Sequence, residues 1–201
     1  MNPHEYLSDD GHALLLLATA FALPAEVVNT GVAPLKLSEW NALSKRIAQS
    51  PLQRPGALLG KSVDELAGAL NASAGEAQRV ASLLERSGRA TLEIENLFTR
   101  GIWVVTRVDA HYPTRLRDAL KHQAPAVLFG AGDIRLPARA GVAVIGSRNV
   151  DEAGMRFAQA VACKTANAGV PVISGGARGT DRIAMQAALD TGGISFGVLA
   201  D

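Results

Sequence analysis

The first hundred residues carry apolar side chains at intervals of three and four, the spacing that places them on one face of an α-helix. Trp40, Leu43 and Ile47 follow this spacing. Two Ser-x-x-Glu sequences, from Ser62 and from Ser73, are typical of capping boxes at helix starts. Little β-branched alternation occurs in this region. We therefore predict a small all-α domain over residues 1–100.

The pattern changes at Ile102, where short apolar runs rich in β-branched residues and bounded by Gly or Pro begin. Helix-length stretches separate several of these runs, at residues 115–122, 151–168 and 181–191. The apolar runs themselves are residues 102–106, 126–129, 142–145, 170–173 and 194–199. Strands that alternate with helices predict βαβ crossovers and a mostly parallel sheet.

We accordingly predict that residues 101–201 form a Rossmann-like, three-layer α/β domain. Doubly wound sheets usually carry five or six strands, yet the sequence ends at Asp201, directly after an apolar run. We expect the sheet to be incomplete at its C-terminal side and the sequence to be a fragment of a longer protein.

Composition narrows the classes of protein. The 201 residues have a net charge of +1 and are 48% hydrophobic, which provides a core but no positive field over the whole surface. A single Cys excludes an internal disulfide, and four scattered His leave no zinc pattern. The apolar run at residues 13–23 is too short to span a bilayer and follows two Asp residues. We interpret it as a buried helix and expect a cytoplasmic protein without membrane contact.

A turn of Gly146, Ser147 and Arg148 follows the run at residues 142–145. In open α/β sheets, ligands bind at the carboxyl ends of the strands, where helix N-termini expose free N–H groups. Glycine permits close backbone approach, serine offers a hydroxyl donor, and arginine presents a fork that matches two phosphate oxygens. This turn is a candidate phosphate-binding loop, and a tight turn with a solvated arginine is the alternative.

A second loop follows the run at residues 170–173 and repeats this arrangement. Successive N–H groups in a glycine-rich loop form a concave anion site, and arginine adds charge. The alternative is that the glycines serve only the turn from strand to helix. The candidate phosphate-binding residues of this loop are Ser174, Gly175, Gly176, Ala177, Arg178 and Gly179. Two such loops after neighbouring runs are a more specific signal than either alone.

Neither loop matches the dinucleotide fingerprint G-x-G-x-x-G, and no Walker sequence occurs. NAD and ATP are therefore poor candidates, and we predict no cofactor, no metal and no catalytic residue. Cys163 lies within an alanine-rich stretch and is interpreted as a small buried hydrophobe. Basic residues outnumber acidic ones between residues 107 and 148, which indicates either a binding surface or an ordinary solvated face.

From about Ile102 onward, the sequence resembles the DprA family of DNA-processing proteins, also called Smf. The ordered elements that carry the resemblance are Tyr112-Pro113, the strand from Pro125 to Gly130, the strand and turn ending in Gly146-Ser147-Arg148, the loop from Ser174 to Asp181, and Gly192-Gly193. Thr180 stands where the family usually has Ile. The Arg-Asn-Arg element of the later family core is absent from these residues.

The resemblance implies an extended Rossmann fold that binds single-stranded DNA and acts, without catalysis, in DNA processing and recombination during natural transformation. It also implies loading of the RecA recombinase and the formation of a homodimer. In the family, the Gly-Ser-Arg turn and the Ser-Gly-x-Ala loop contact DNA phosphates. This implies the same contacts at Gly146, Ser147, Arg148 and residues 174–177.

Two other functions use similar loops. An enzyme resembling the LOG phosphoribohydrolases would share the Gly-Gly-x-x-Gly-Thr pattern, but Ile183 and Ala184 stand where that family needs a Glu. A sensor that binds a small nucleotide without turnover is the third hypothesis, because the two loops could hold a single phosphate group.

Overall fold

A computed structural model describes residues 6–23 and 32–199. The chain divides into two compact units, Met1–Ile134 and Arg135–Asp201. The first unit extends beyond residue 100, where the sequence analysis placed a domain boundary, because it includes the first two strands as well as the helices. The predicted order of a helical region followed by an α/β region with a parallel sheet is confirmed.

Within residues 6–23 and 32–100, the structure describes five α-helices and a short 3-10 helix at Pro55–Leu58. They are α1 (Asp9–Ala18), α2 (Leu37–Gln49), α3 (Val63–Leu70), α4 (Ala74–Leu84) and α5 (Ser87–Thr99). Their starts follow local signals. Ser62 and Glu65 form the predicted reciprocal capping box, whereas Ser73 caps α4 through its own side chain only.

The core of the first unit lies between these helices. Residues 13–17 of α1 are buried completely, and all of them except Leu15 belong to one apolar cluster with Trp40, Ile47 and Leu66. The apolar run at residues 13–23 therefore contains a buried helix, as predicted. No helix in the described ranges, 6–23 and 32–199, is long and apolar enough to cross a membrane.

Arg86 is a charged side chain inside this unit and is only 7% exposed. Its guanidinium donates to the carbonyl oxygens of Leu83 (3.0 Å), Leu16 and Thr19 (2.7 Å), at the C-terminal ends of α4 and α1. Those carbonyls lack partners within their helices. Burial lowers the pKa of Arg86 to about 10, because desolvation disfavours the charged form.

The first two strands are β1 (Ile102–Thr106) and β2 (Val127–Ala131), and they pair antiparallel, Ile102 opposite Ala131. The expectation that they join the parallel sheet is wrong. A turn after β1 redirects the chain: Asp109 donates its N–H to the Thr106 carbonyl, while its carboxylate accepts the Thr106 N–H at 2.8 Å. Strand periodicity contains no information about strand direction. The connection to β2 contains α6 (Thr114–Leu120).

The second unit contains a three-stranded parallel sheet in the order β3 (Val142–Ala143), β4 (Val172–Ser174), β5 (Ser195–Gly197). Helices α7 (Glu152–Asn167) and α8 (Thr180–Asp190) connect the strands and pack against each other. Alanines of both helices form the core with Val172, and small side chains allow this close packing. Cys163 is half-buried against the same core.

Candidate phosphate-binding site

Two loops lie at the carboxyl ends of neighbouring parallel strands. The first loop, residues 146–148, follows β3 and precedes α7, and the second loop, residues 174–179, runs from the end of β4 to the start of α8. Because β3 and β4 are adjacent and parallel, both loops reach the same edge of the sheet. The structure thus brings all the predicted site residues together.

Backbone contacts join the two loops. The N–H and hydroxyl of Thr180 both donate to the Ser147 carbonyl oxygen, at 3.1 and 3.2 Å. The Arg178 guanidinium donates to the Asn149 side-chain oxygen at 3.0 Å. Gly179 has a φ of 87°, and a Cβ there would overlap the Ser147 carbonyl oxygen. This glycine is needed both for its left-handed backbone and for the close approach of the loops.

Asp181, in the first turn of α8, lies beneath the junction and is only 4% exposed. Its carboxylate accepts the N–H of Gly146 at 3.3 Å and the N–H of Gly175 at 3.1 Å. One side chain thereby holds both loops. The sequence analysis did not identify this bridge. Its sequence signal is an acidic residue that closely follows the second loop.

The hydroxyl groups of the site are engaged within the protein. Ser147 donates to the Asn149 carbonyl at 3.0 Å, and buried Ser174 donates to the Val144 carbonyl at 2.7 Å. Thr180 donates to Ser147, as described above. The hydroxyl donors that the sequence pattern offers to a phosphate therefore stabilise the loops in this structure.

The free donors of the site are backbone amides and guanidinium groups. Several loop N–H groups have no acceptor within the part of the chain that the structure describes, those of Ser147, Arg148, Gly176, Ala177, Arg178 and Gly179. The side chains of Arg148 and Arg178 are both exposed beside these amides. N–H groups without an acceptor, in loops that also carry two exposed guanidinium groups, are suited to bind the oxygens of a phosphate.

The two helix N-termini differ in their electrostatics. Asp151 caps α7, with its carboxylate 2.7 Å from the Gly154 nitrogen, and Glu152 adds a second acid in the first turn. These acids offset the positive end of the helix dipole. The N-cap of α8 is Gly179, which provides no side-chain cap. The start of α8 thus carries one acid, the buried Asp181, whereas the start of α7 carries two.

Arg182 borders a cleft that neither Arg148 nor Arg178 lines. Its side chain lines a cleft of about 480 Å³ between α7 and α8, together with Cys163 and Asp190. It also follows the second loop closely in sequence, and its N–H donates to the Ala177 carbonyl of that loop at 3.1 Å.

These observations define a Rossmann-like α/β protein with two joined glycine-containing loops at the carboxyl ends of its parallel strands. A family model described as DNA recombination-mediator protein A matches residues 103–201. Relatives described as a DNA processing protein DprA, from the CDC 1551 and H37Rv strains of Mycobacterium tuberculosis, are each 35% identical over 123 residues. This match covers 56% of the chain and 32% of each relative.

Over residues 103–201, the chain is similar to the DprA family of DNA-processing proteins. It spans about a third of the length of the curated relatives that it matches. The X-ray structure of DNA processing protein A (DprA) from Streptococcus pneumoniae has a similar fold, with a TM-score of 0.60, 17% identity, and coverage of 96% of this chain and 58% of that one. At that identity the likeness shows the fold alone.

Proposed function

We propose that the chain binds single-stranded DNA through the two loops, as part of DNA processing and recombination. The observation that carries the proposal is the set of free loop amides in loops that also carry two exposed arginines, Arg148 and Arg178. Such groups bind the sugar-phosphate backbone without reading base identity. The match of residues 103–201 to the family model of DNA recombination-mediator protein A supports a nucleic acid as the source of the phosphates.

Within the site, we propose two roles for the residues that the sequence analysis selected. The free amides and the two arginines contact phosphates, at Ser147, Arg148, Gly176, Ala177, Arg178 and Gly179. Gly146, Ser174 and Gly175 hold the loops in shape, because their polar groups bond to Asp181 and Val144. This division follows from which donors are already engaged.

The proposed function is binding without catalysis. Asp181 is the carboxylate in contact with both loops, but it is buried and its oxygens accept backbone N–H groups. A general base must reach the proton that it abstracts, and a carboxylate committed in this way does not. The LOG-like enzyme hypothesis would need a different acid in the site.

Two finer proposals rest on the family resemblance, the loading of RecA onto the bound strand and the formation of a homodimer. Light scattering after size exclusion would measure the mass of the chain in solution. A mass of about 42 kDa, twice the 20.9 kDa of the chain, would support the dimer. A monomeric mass at high concentration would contradict it for these residues.

The DNA-binding proposal is tested by fluorescence anisotropy with a labelled oligo-dT over a range of salt concentrations. We expect Arg148→Ala and Arg178→Ala each to weaken binding several-fold, and the salt slope to fall by about 0.7 for each phosphate that the variant no longer neutralises. Arg156→Ala is the matched control, because Arg156 is an exposed arginine of the same unit that pairs with Glu152.

Three outcomes would contradict the proposal. The double variant Arg148→Ala, Arg178→Ala could bind oligo-dT as tightly as the unaltered chain, which would show that the two loops are not the binding site. Unlabelled AMP could displace the oligonucleotide at equal phosphate concentration, which would favour the nucleotide sensor. Release of free base from AMP, followed by chromatography, would restore the enzyme hypothesis.

A further inference from the structure

A second group of cations lies in the first unit, at the turn that follows α6. Arg107, Arg117 and Lys121 make up this cationic turn, as we name it. No carboxylate pairs with any of the three within the described ranges. Asp109 offers no compensation, since it is 3% exposed and its oxygens accept donors from Ser8 and Thr106.

Arg107 fixes the turn by hydrogen bonds to backbone and amide oxygens. It donates to the His122 and Ala124 carbonyl oxygens, both at 3.2 Å, and to the Asn41 side-chain oxygen at 2.6 Å. Asn41 also donates to the His122 carbonyl at 3.1 Å. The guanidinium charge is thus half-buried without a counter-ion among the described residues, and the turn is held against α2.

Arg117 lies one helical turn before Lys121, and its carbonyl oxygen accepts the Lys121 N–H. The positive charges of Arg107 and Arg117 both act on the phenol of Tyr112, whose hydroxyl donates to the Pro125 carbonyl at 2.8 Å. Burial nevertheless raises the pKa of Tyr112. Like charges that gather around one buried group repel each other unless an anion reduces the repulsion.

Lys121 adds backbone strain to this cluster. Its φ of 51° and ψ of −120° lie in a region that favours glycine and that bulky residues rarely adopt. The bonds from Arg107 and Asn41 to the next carbonyl hold the turn in this form. Strained conformations of this kind concentrate at functional sites, and here the strained residue is an exposed cation where glycine would fit better.

We propose that the cationic turn is a second phosphate-contact surface, which binds the backbone of single-stranded nucleic acid, the ligand class that we propose for the loops. The proposal rests on the proposed function. Guanidinium forks match phosphate oxygens, and residues 121–123 are polar and exposed. A protein partner would require an apolar centre, so an acidic protein is the less favoured occupant and becomes an outcome of the test.

The substitution Lys121→Gly should have opposite effects on stability, which it raises, and on oligo-dT affinity, which it lowers. We expect the tryptophan-fluorescence unfolding midpoint to rise by roughly 3 °C because the strain is relieved. We also expect affinity for oligo-dT to fall about three- to fivefold, with a salt slope lower by about 0.7. Arg117→Ala should weaken binding similarly. Arg115→Ala is the matched control, because helix positions two apart do not share a face.

Lysine acetylation followed by mass spectrometry locates the contact directly in the full chain. Oligo-dT should protect Lys121 at least threefold and leave Lys61, which pairs with Glu65, unchanged. Normal oligo-dT affinity in both Lys121→Gly and Arg117→Ala would overturn this inference and leave the loop site intact. Protection of Lys121 by poly-glutamate but not by oligo-dT would assign the turn to an acidic protein. A chain that binds no oligo-dT at all would overturn both proposals.

Discussion

The bridging carboxylate of Asp181 provides the sharpest test of how the two loops are held. Replacing Asp181 by Ala removes the acceptor for the Gly146 and Gly175 amides while leaving every glycine in place. Because only 4% of Asp181 is exposed, water does not readily replace the missing oxygen atoms. We therefore expect the second unit to lose stability.

The magnitude follows from the contacts. A hydrogen bond to a charged group contributes about 1.5–3 kcal/mol, and the distances of 3.1 and 3.3 Å are longer than those of the strongest charged bonds, so the lower value applies to each. The position in the first turn of α8 adds roughly 0.3 kcal/mol through the helix dipole. The expected loss of stability is about 3 kcal/mol, and about half of that for Asp181→Asn, which keeps one acceptor.

The chain contains an intrinsic probe for each unit. Cys163 is the single cysteine of the sequence and lies half-buried in α7, so an increase in its thiol-labelling rate over that of the unaltered chain reports opening of the second unit. Trp40 and Trp103 both lie in the first unit and report on it by fluorescence. A destabilisation of about 3 kcal/mol raises the open population roughly 150-fold. We expect faster thiol labelling in Asp181→Ala and an unchanged tryptophan transition.

Glu152→Ala is the matched control for this experiment. Glu152 is an exposed acid in the first turn of α7, where it pairs with Arg156 at 2.6 Å. Its removal should change stability by less than about 0.5 kcal/mol. If Cys163 in Asp181→Ala is labelled as slowly as in the unaltered chain, the bridge contributes nothing and the reasoning fails.

Three further substitutions can be tested with the same two probes. Gly179→Ala should destabilise the second unit by more than about 2 kcal/mol because its Cβ overlaps the first loop, whereas Gly192→Ala, with a φ of 78° and open space, should cost only about 1 kcal/mol. Arg86→Met should lower the free energy of unfolding of the first unit by about 2–4 kcal/mol, because it leaves buried helix-end carbonyls unpaired. The tryptophan transition measures this change, and an unchanged transition would refute the prediction. The buried Ser195 hydroxyl lacks a partner among the described residues, so Ser195→Ala should stabilise the second unit and slow thiol labelling. Faster labelling would contradict this prediction.

Signals confined to a few neighbouring residues predicted much of the fold. Ser8 accepts the Gly11 N–H at the start of α1, and Asp151 accepts the Gly154 N–H at the start of α7, close to the predicted helix starts. The run at residues 102–106 coincides with β1. Each of these signals needs only side chains three or four positions apart, which the sequence shows directly.

Contacts between distant residues were not predictable in this way. The Asp109 carboxylate accepts a hydrogen bond from the Ser8 hydroxyl, 101 residues away in sequence. The same carboxylate stabilises the turn after β1. This turn contributes to the antiparallel pairing of β1 and β2, which local periodicity does not determine. The bridge from Asp181 to Gly146 spans 35 residues and was missed for the same reason.

The bridge also changes how the glycine-containing loops are understood. From sequence, every N–H of such loops is available to an anion. In the structure, the innermost amides already bind a carboxylate, which supplies a fixed negative charge at the base of the site. That charge repels a phosphate from the floor and leaves the outer amides and the exposed arginines as its binding groups. A strand that lies across the rim is then favoured over a single phosphate enclosed by the loops, which agrees with a polymer more than with a mononucleotide.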